Sequence, residues 1–289
     1  MSGQDDLLRD CYRYCQGLTR QEAKNFYYGF VLLPPPQRRA ICAVYAFSRR
    51  CDDIVDGDSP PQEKEELLQS YRRELDRCLS GQPQGPIFTA LHDAINRYQI
   101  PHHHFHQLID GVQMDLTTRR YPTFDHLRRY CYLVASVVGL ITIEICGYRD
   151  GERARQHAAD LGLALQLTNI LRDLSEDAAR DRIYIPLDEI AAFGYSQEEL
   201  LRGEQTEAFY RLMTSQAQRA REYFRRGRDL LPLLPRRSRA CVAALASIYQ
   251  ALLDRIEASD YDVFRQRVAL SSREKLTRAS RALVGSVLS

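Results

Sequence analysis

The chain has no tryptophan and only three lysines, Lys24, Lys64 and Lys275, among 40 basic residues. Its positive charge is therefore almost all arginine, whose planar fork suits diphosphate oxygens but also serves ordinary surface pairing. The formal net charge is only +2, which gives no strong attraction to nucleic acid, and no nucleic-acid-binding motif is present. Eight cysteines occur without one Cys-x-x-Cys pair. That pattern disfavours a disulfide framework or a zinc site and suits free thiols in a reducing cytosol. No apolar signal core precedes or follows Asp5, Asp6 and Arg9. The most apolar window, residues 134–146, is too short to span a bilayer and contains Glu144. The expected location is cytoplasmic, at most peripheral to the inner membrane. Strand alternation is nearly absent, and there is no fixed-period repeat, low-complexity linker or glycine-rich dinucleotide loop.

What is present is helical periodicity. The 289 residues, 44% hydrophobic and 27% charged, have an ordinary globular composition. They predict one all-α domain over residues 1–289. Helices are expected at 5–16 and 20–33, then, after Pro34-Pro35-Pro36, at 37–56. Further helices are expected at 62–80, 86–98, 102–117, 124–147, 151–178, 205–231, 237–259 and 271–288. Residues 180–196, with Pro186 and Gly194, read as loop plus a short helix. Leu161, Leu163, Ala164, Leu165, Leu167, Ile170 and Leu171 cover most of one helix's circumference, so that helix belongs inside a sizeable bundle. Gln166, Asn169, Arg172 and Asp173 on it then need partners.

Two acidic clusters stand out. Asp52 and Asp56, four apart, stack on one helical face, with Arg49 and Tyr45 on the same side. Asn169, Asp173 and Asp177 repeat every four residues, with Gln166 one turn earlier and Arg180, Arg182 and Tyr184 close behind. One such cluster is commonly a solvated face. Two of them, each embedded in apolar sequence and each with arginine nearby, favour a metal–diphosphate site. Mg²⁺ suits hard oxygen ligands and keeps open positions for phosphate.

The residues also carry a resemblance. Phe26-Tyr-Tyr-Gly-Phe-Val-Leu-Leu-Pro34, the stretch 45–56, Tyr130-Cys-Tyr-Leu-Val-Ala-Ser-Val-Val-Gly139 and the stretch 166–186 resemble the squalene/phytoene synthase family over nearly the whole chain. Residues 111–124 and Arg273-Glu-Lys-Leu276 look most like its bacterial presqualene diphosphate synthases of squalene and hopanoid pathways. The resemblance implies a single helical bundle of the isoprenoid synthase type around a central cavity. It implies metal binding by Asp52, Asp56, Asn169, Asp173 and Asp177, with Mg²⁺ replaceable by Mn²⁺. Arg49, Arg172 and Arg182 would grip diphosphate, with Lys24 near its entrance and Arg267 as a further contact. Tyr45, Tyr130, Tyr184 and Tyr249 would face the reacting chains or the diphosphate, and Asn25, Phe26 and Gln166 would contact substrate. Some relatives carry serines where this chain has Ala23 and Asn25; Asn25 can still donate a hydrogen bond and Ala23 cannot.

The implied reaction joins two farnesyl diphosphates head to head to give presqualene diphosphate, without NADPH. Squalene, dehydrosqualene or phytoene are the alternative end points, the last from geranylgeranyl diphosphate. The proton acceptor, whether released diphosphate or a tyrosine, stays open. A non-catalytic helical assembly factor is a distant alternative, disfavoured because Asp52, Asp56, Asp173 and Asp177 are all present. The run Pro101-His102-His103-His104-Phe105-His106 does not converge on one ion, because adjacent helical residues point apart. Residues 202–289 hold 17 basic against 9 acidic residues, which allows peripheral contact with an anionic membrane.

Overall fold

Proline and glycine set the boundaries of the helices that matter most. Pro34, extended at φ −51° and ψ 146°, leads into a helix that begins at Pro35, where the missing N–H costs nothing. Gly57 ends that helix in an extended conformation. The computed structural model describes residues 2–23 and 25–288. In chain order its helices are α1 (Ser2–Glu22), α2 (Tyr27–Phe30), α3 (Pro35–Asp56), α4 (Pro61–Leu79), α5 (Gly85–Tyr98) and α6 (His103–Thr117). Then come α7 (Phe124–Cys131), a π turn (Tyr132–Ser136), α8 (Val137–Cys146), α9 (Gly151–Arg172) and α10 (Leu174–Ala179). The chain closes with α11 (Leu187–Ala192), α12 (Gln197–Arg202), α13 (Glu207–Arg228), α14 (Arg236–Ala258) and α15 (Ser272–Leu288). Among the described residues there is no strand, only one isolated bridge between Arg120 and Ile183.

The all-α expectation holds, and α9 is the buried helix the sequence predicted. It packs against α13, α8, the π turn and α14. Its close neighbours demand glycine. A methyl group on Gly162 would lie 2.6 Å from the Ala135 carbonyl oxygen, and one on Gly139 would lie 2.6 Å from that of Ala158. Gly139 thus serves close helix packing.

Four expectations need correction. The break predicted between residues 16 and 20 is absent, and α1 runs on to Glu22. Cys15, Thr19 and Ala23, four apart, are all buried, and the Thr19 hydroxyl donates to the Cys15 carbonyl at 2.8 Å. That packing outweighs the helix penalty of roughly 1 kcal/mol for solvent-facing Gly17. The helix predicted to run to residue 178 stops at Arg172, because Asp173 leaves helical geometry at ψ 13° before α10 resumes. A further helix, α12, was not expected; Ser196 and Glu199 cap it reciprocally. Finally, residues 124–146 form one continuous helical rod of 23 residues, long and apolar enough to cross a bilayer. Half of it is buried, and it packs on α6 and α9, so it is a core helix.

Candidate active site

Helices α3, α6, α8, α9 and α14 enclose a cavity of about 1340 Å³, counting its open mouth. Phe26, Phe30, Val44, Val134, Val138, Leu161, Leu165, Val242 and Leu245 make most of it apolar. Only one end is acidic and amidic: Asp52, Asp115, Gln166 and Asn169.

The two acidic clusters meet at that end. Arg180, just past α10, donates to Asp56 on α3 at 3.1 Å, and Arg182 stands 3.9 Å from the same carboxylate. Asp52 is open to the cavity yet surrounded by protein. Burial and then Asp56, one turn away, push its carboxyl up to about 7. Burial and then Asp173 do the same for Asp177, also to about 7. Each carboxylate thus raises the cost of charging its neighbour.

The arginines answer this charge. Arg172 grips Asp173 through two nitrogens, one at 2.8 Å, with both side chains largely shielded. Arg267, outside the helices, bridges Asp173 and Glu176 at 3.1 Å each. Arg49 pairs with Asp53 at 2.8 Å and reaches Glu22 at 3.7 Å, at the rim and not directly on Asp52. Asn169 donates to Gln166 at 3.3 Å, while its carbonyl oxygen is buried without a partner. Tyr249 is buried against Phe26 at 5.6 Å between ring centres, with the side chains of Asn25 and Asn169 near its phenol. Burial holds the phenols of Tyr45, Tyr130, Tyr184 and Tyr249 above their usual range, so they stay protonated. Lys24, expected at the entrance, lies outside the described residues.

Of the residues expected from sequence, Phe26, Tyr45, Asp52, Tyr130, Gln166 and Asn169 line the cavity. Asp56, Arg172, Asp173, Asp177, Arg182, Tyr184, Tyr249 and Arg267 are linked to its polar end through contacts with these or with one another, whereas Arg49 is drawn to Asp53 and Glu22. Asp115 was not among the expected residues. It lies in α6 and accepts hydrogen bonds from Tyr130 at 3.0 Å and Tyr184 at 2.7 Å, while Arg182 donates to its backbone carbonyl at 3.0 Å. Burial raises its carboxyl, against Tyr184 and Arg182, which lower it. The extended segment after α10 makes this possible. Ile183 N–H bonds the Arg119 carbonyl and Leu187 N–H the Tyr121 carbonyl, both at 2.9 Å, which lays Tyr184 beside Tyr121 and Tyr130.

Among the described residues no three His, Cys, Asp or Glu side chains form a ready-made metal cage. That suits a cation held by one or two carboxylates and completed by phosphate oxygens. The unpartnered Asn169 oxygen and the mutually repelling carboxylates are hard donors with room for such an ion.

A squalene/phytoene synthase family model matches residues 19–274. A phytoene synthase from Arthrospira platensis is 38% identical, covering 92% of this chain and 90% of its own. A 15-cis-phytoene synthase from Synechococcus elongatus is 39% identical, covering 93% and 91%. A ligand-bound dehydrosqualene synthase superposes with a TM-score of 0.90 at 26% identity, over 99% of this chain and 100% of its own. A squalene synthase from Alicyclobacillus acidocaldarius does so with a TM-score of 0.82 at 30% identity, over 88% and 95%. The branch expected from sequence, presqualene diphosphate formation, is not the one these sequence relatives carry in their names. With the fold, the cavity and the matched residues in agreement, the chain belongs to the squalene/phytoene synthase family of divalent-metal-dependent isoprenoid synthases acting on prenyl diphosphates.

Proposed function

We propose that this chain joins two allylic prenyl diphosphates head to head, with loss of diphosphate, and that its substrate is geranylgeranyl diphosphate and its end product phytoene. The reaction class rests on one observation: hard-oxygen donors from α3, α9 and α10 converge at the polar end of a deep apolar cavity. The chain length rests on relatives 38–39% identical that are named phytoene synthases.

Asp52 and Asp56 on one side, and Asn169, Asp173 and Asp177 on the other, would hold Mg²⁺, with Mn²⁺ as a substitute. When bound, the divalent cation supplies charge neutralisation to the leaving diphosphate. Arg172, Arg182 and Arg267 would take the remaining diphosphate oxygens as forked donors, releasing their present carboxylate partners. Arg49 would guard the rim. The apolar walls from Phe26 to Leu245 keep water from the allylic cation, leaving the second chain's double bond as the nucleophile. Tyr45 and Tyr249 flank the polar end with protonated, uncharged phenols.

A second reading keeps farnesyl diphosphate as substrate and presqualene diphosphate as product. It is favoured by the near-complete superposition on a dehydrosqualene synthase. The purified chain, incubated with Mg²⁺ and either substrate, with and without NADPH, separates the two by mass spectrometry. Phytoene from the twenty-carbon substrate supports the first reading. Presqualene diphosphate from the fifteen-carbon substrate, with no twenty-carbon turnover, supports the second. No condensation of either overturns both.

A further inference from the structure

The carboxylate of Asp115 sits where the two acidic clusters face each other, yet among the described residues it makes no ion pair with a side chain. Both of its oxygens are already engaged, one by the hydroxyl of Tyr130 and the other by that of Tyr184. Tyr130, Tyr184 and Tyr121 stack behind it with ring centres 5.3–5.5 Å apart. Of these three tyrosines only Tyr130 lines the cavity. A phenol has one proton to give. If that proton is committed to Asp115, the oxygen's lone pairs are left to face elsewhere.

We propose, resting on the condensation reading above, that Asp115 is a positioning residue: it fixes the Tyr130 hydroxyl so that the phenol oxygen presents lone pairs to the cavity. The Tyr184 hydroxyl occupies the second carboxylate oxygen and prevents Asp115 from swinging toward the metal-binding side chains. The Arg182 guanidinium pins the Asp115 main chain from behind. An oriented phenol dipole with its negative end toward the cavity stabilises a cation without becoming charged itself, and does so without rearranging during the reaction.

Asp115→Asn is the informative change. One amide oxygen can still accept from one phenol, but the NH₂ group confronts the other, so one hydroxyl must turn. The expected result is a kcat lowered about 10²-fold, with KM for the prenyl diphosphate and the Mg²⁺ requirement unchanged. Because Asp115 acts through Tyr130, the double variant Asp115→Asn/Tyr130→Phe is expected to be no slower than Tyr130→Phe alone. Multiplied losses, or a raised Mg²⁺ requirement, would mean that Asp115 touches metal or substrate directly and would overturn the proposal. A second measurement needs no turnover. In protein carrying [¹³Cζ]tyrosine, assigned with Tyr130→Phe and Tyr184→Phe, Asp115→Asn is expected to shift the Tyr130 or Tyr184 signal and leave distant tyrosines in place. Unmoved signals overturn the clamp. A wild-type chain that condenses neither substrate ends the condensation reading while the NMR result still decides the clamp.

Discussion

The guanidinium of Arg180 stands 3.1 Å from the carboxylate of Asp56, although 124 residues separate them. This pair ties together two acidic clusters that lie far apart along the chain. Replacing Asp52 or Asp173 with Asn is expected to reduce turnover by roughly 10²–10³-fold or more, with the helical circular dichroism unchanged. Near-normal turnover in either variant would contradict the metal assignment.

Asp52 and Asp177 hold protons more tightly in the folded chain, to about 7, than the roughly 3.9 of an unfolded aspartate. Between those values the native state carries the extra protons, so the metal-free protein loses stability as pH rises from about 4 to 7. Glu222 and Glu274, held at about 2 by neighbouring arginine and serine, make an opposite contribution that is complete only once pH has passed the unfolded glutamate value of roughly 4.3, so the measurement starts at pH 5. Melting followed by circular dichroism from pH 5 to 8 is expected to show a falling Tm without metal. Added Mg²⁺, which takes the deprotonated carboxylates, is expected to raise Tm most at pH 8. A metal-free Tm that climbs over this range would reject the assignment.

Thr142 and Ala158 line the cavity well away from Asn169, which lies eleven residues beyond Ala158 on the same helix, roughly 16 Å along its axis. Thr142→Phe fills that far end. Selection between twenty- and fifteen-carbon substrates, measured as the ratio of kcat/KM values in competition, is expected to shift about 10–200-fold toward the shorter chain. An unchanged ratio would show that the prenyl tail does not reach Thr142.

Gly162→Ala forces a methyl group to within 2.6 Å of a backbone oxygen that no rotamer change can move. The cost is expected to be about 1–3 kcal/mol, read as a lowered urea midpoint. Gly17→Ala, where nothing lies within 4 Å, is expected to be neutral or mildly stabilising by at most about 1 kcal/mol. Equal effects at the two positions would contradict the packing described.

The helices and both acidic clusters were legible because each is a local pattern: apolar residues at helical spacing, and carboxylates four apart. Asp115 was not legible as a site residue. Its partners Tyr130 and Tyr184 lie 15 and 69 residues away, and no acidic neighbour one turn off marks it. The interruption at Asp173 was hidden because Leu174 continues the apolar rhythm. The Ser196–Glu199 capping box was visible in the sequence, but it opens residues 197–204, which the reading assigned to no element. The run to Glu22 depended on burial of Thr19 against α3, which a local pattern around Gly17 does not announce.

The π turn at Tyr132–Ser136 interposes a wider coil between α7 and α8. An α-helix advances about 100° per residue and a π turn less, so rewinding these same five residues as α-helix would swing everything beyond them around the rod's axis. Tyr130 would keep its bearing toward Asp115, while Gly139 would turn away from Ala158 and Thr142 away from the cavity. The bulge therefore acts as a phase setter, letting one rod serve an electrostatic task at its head and a steric one at its tail.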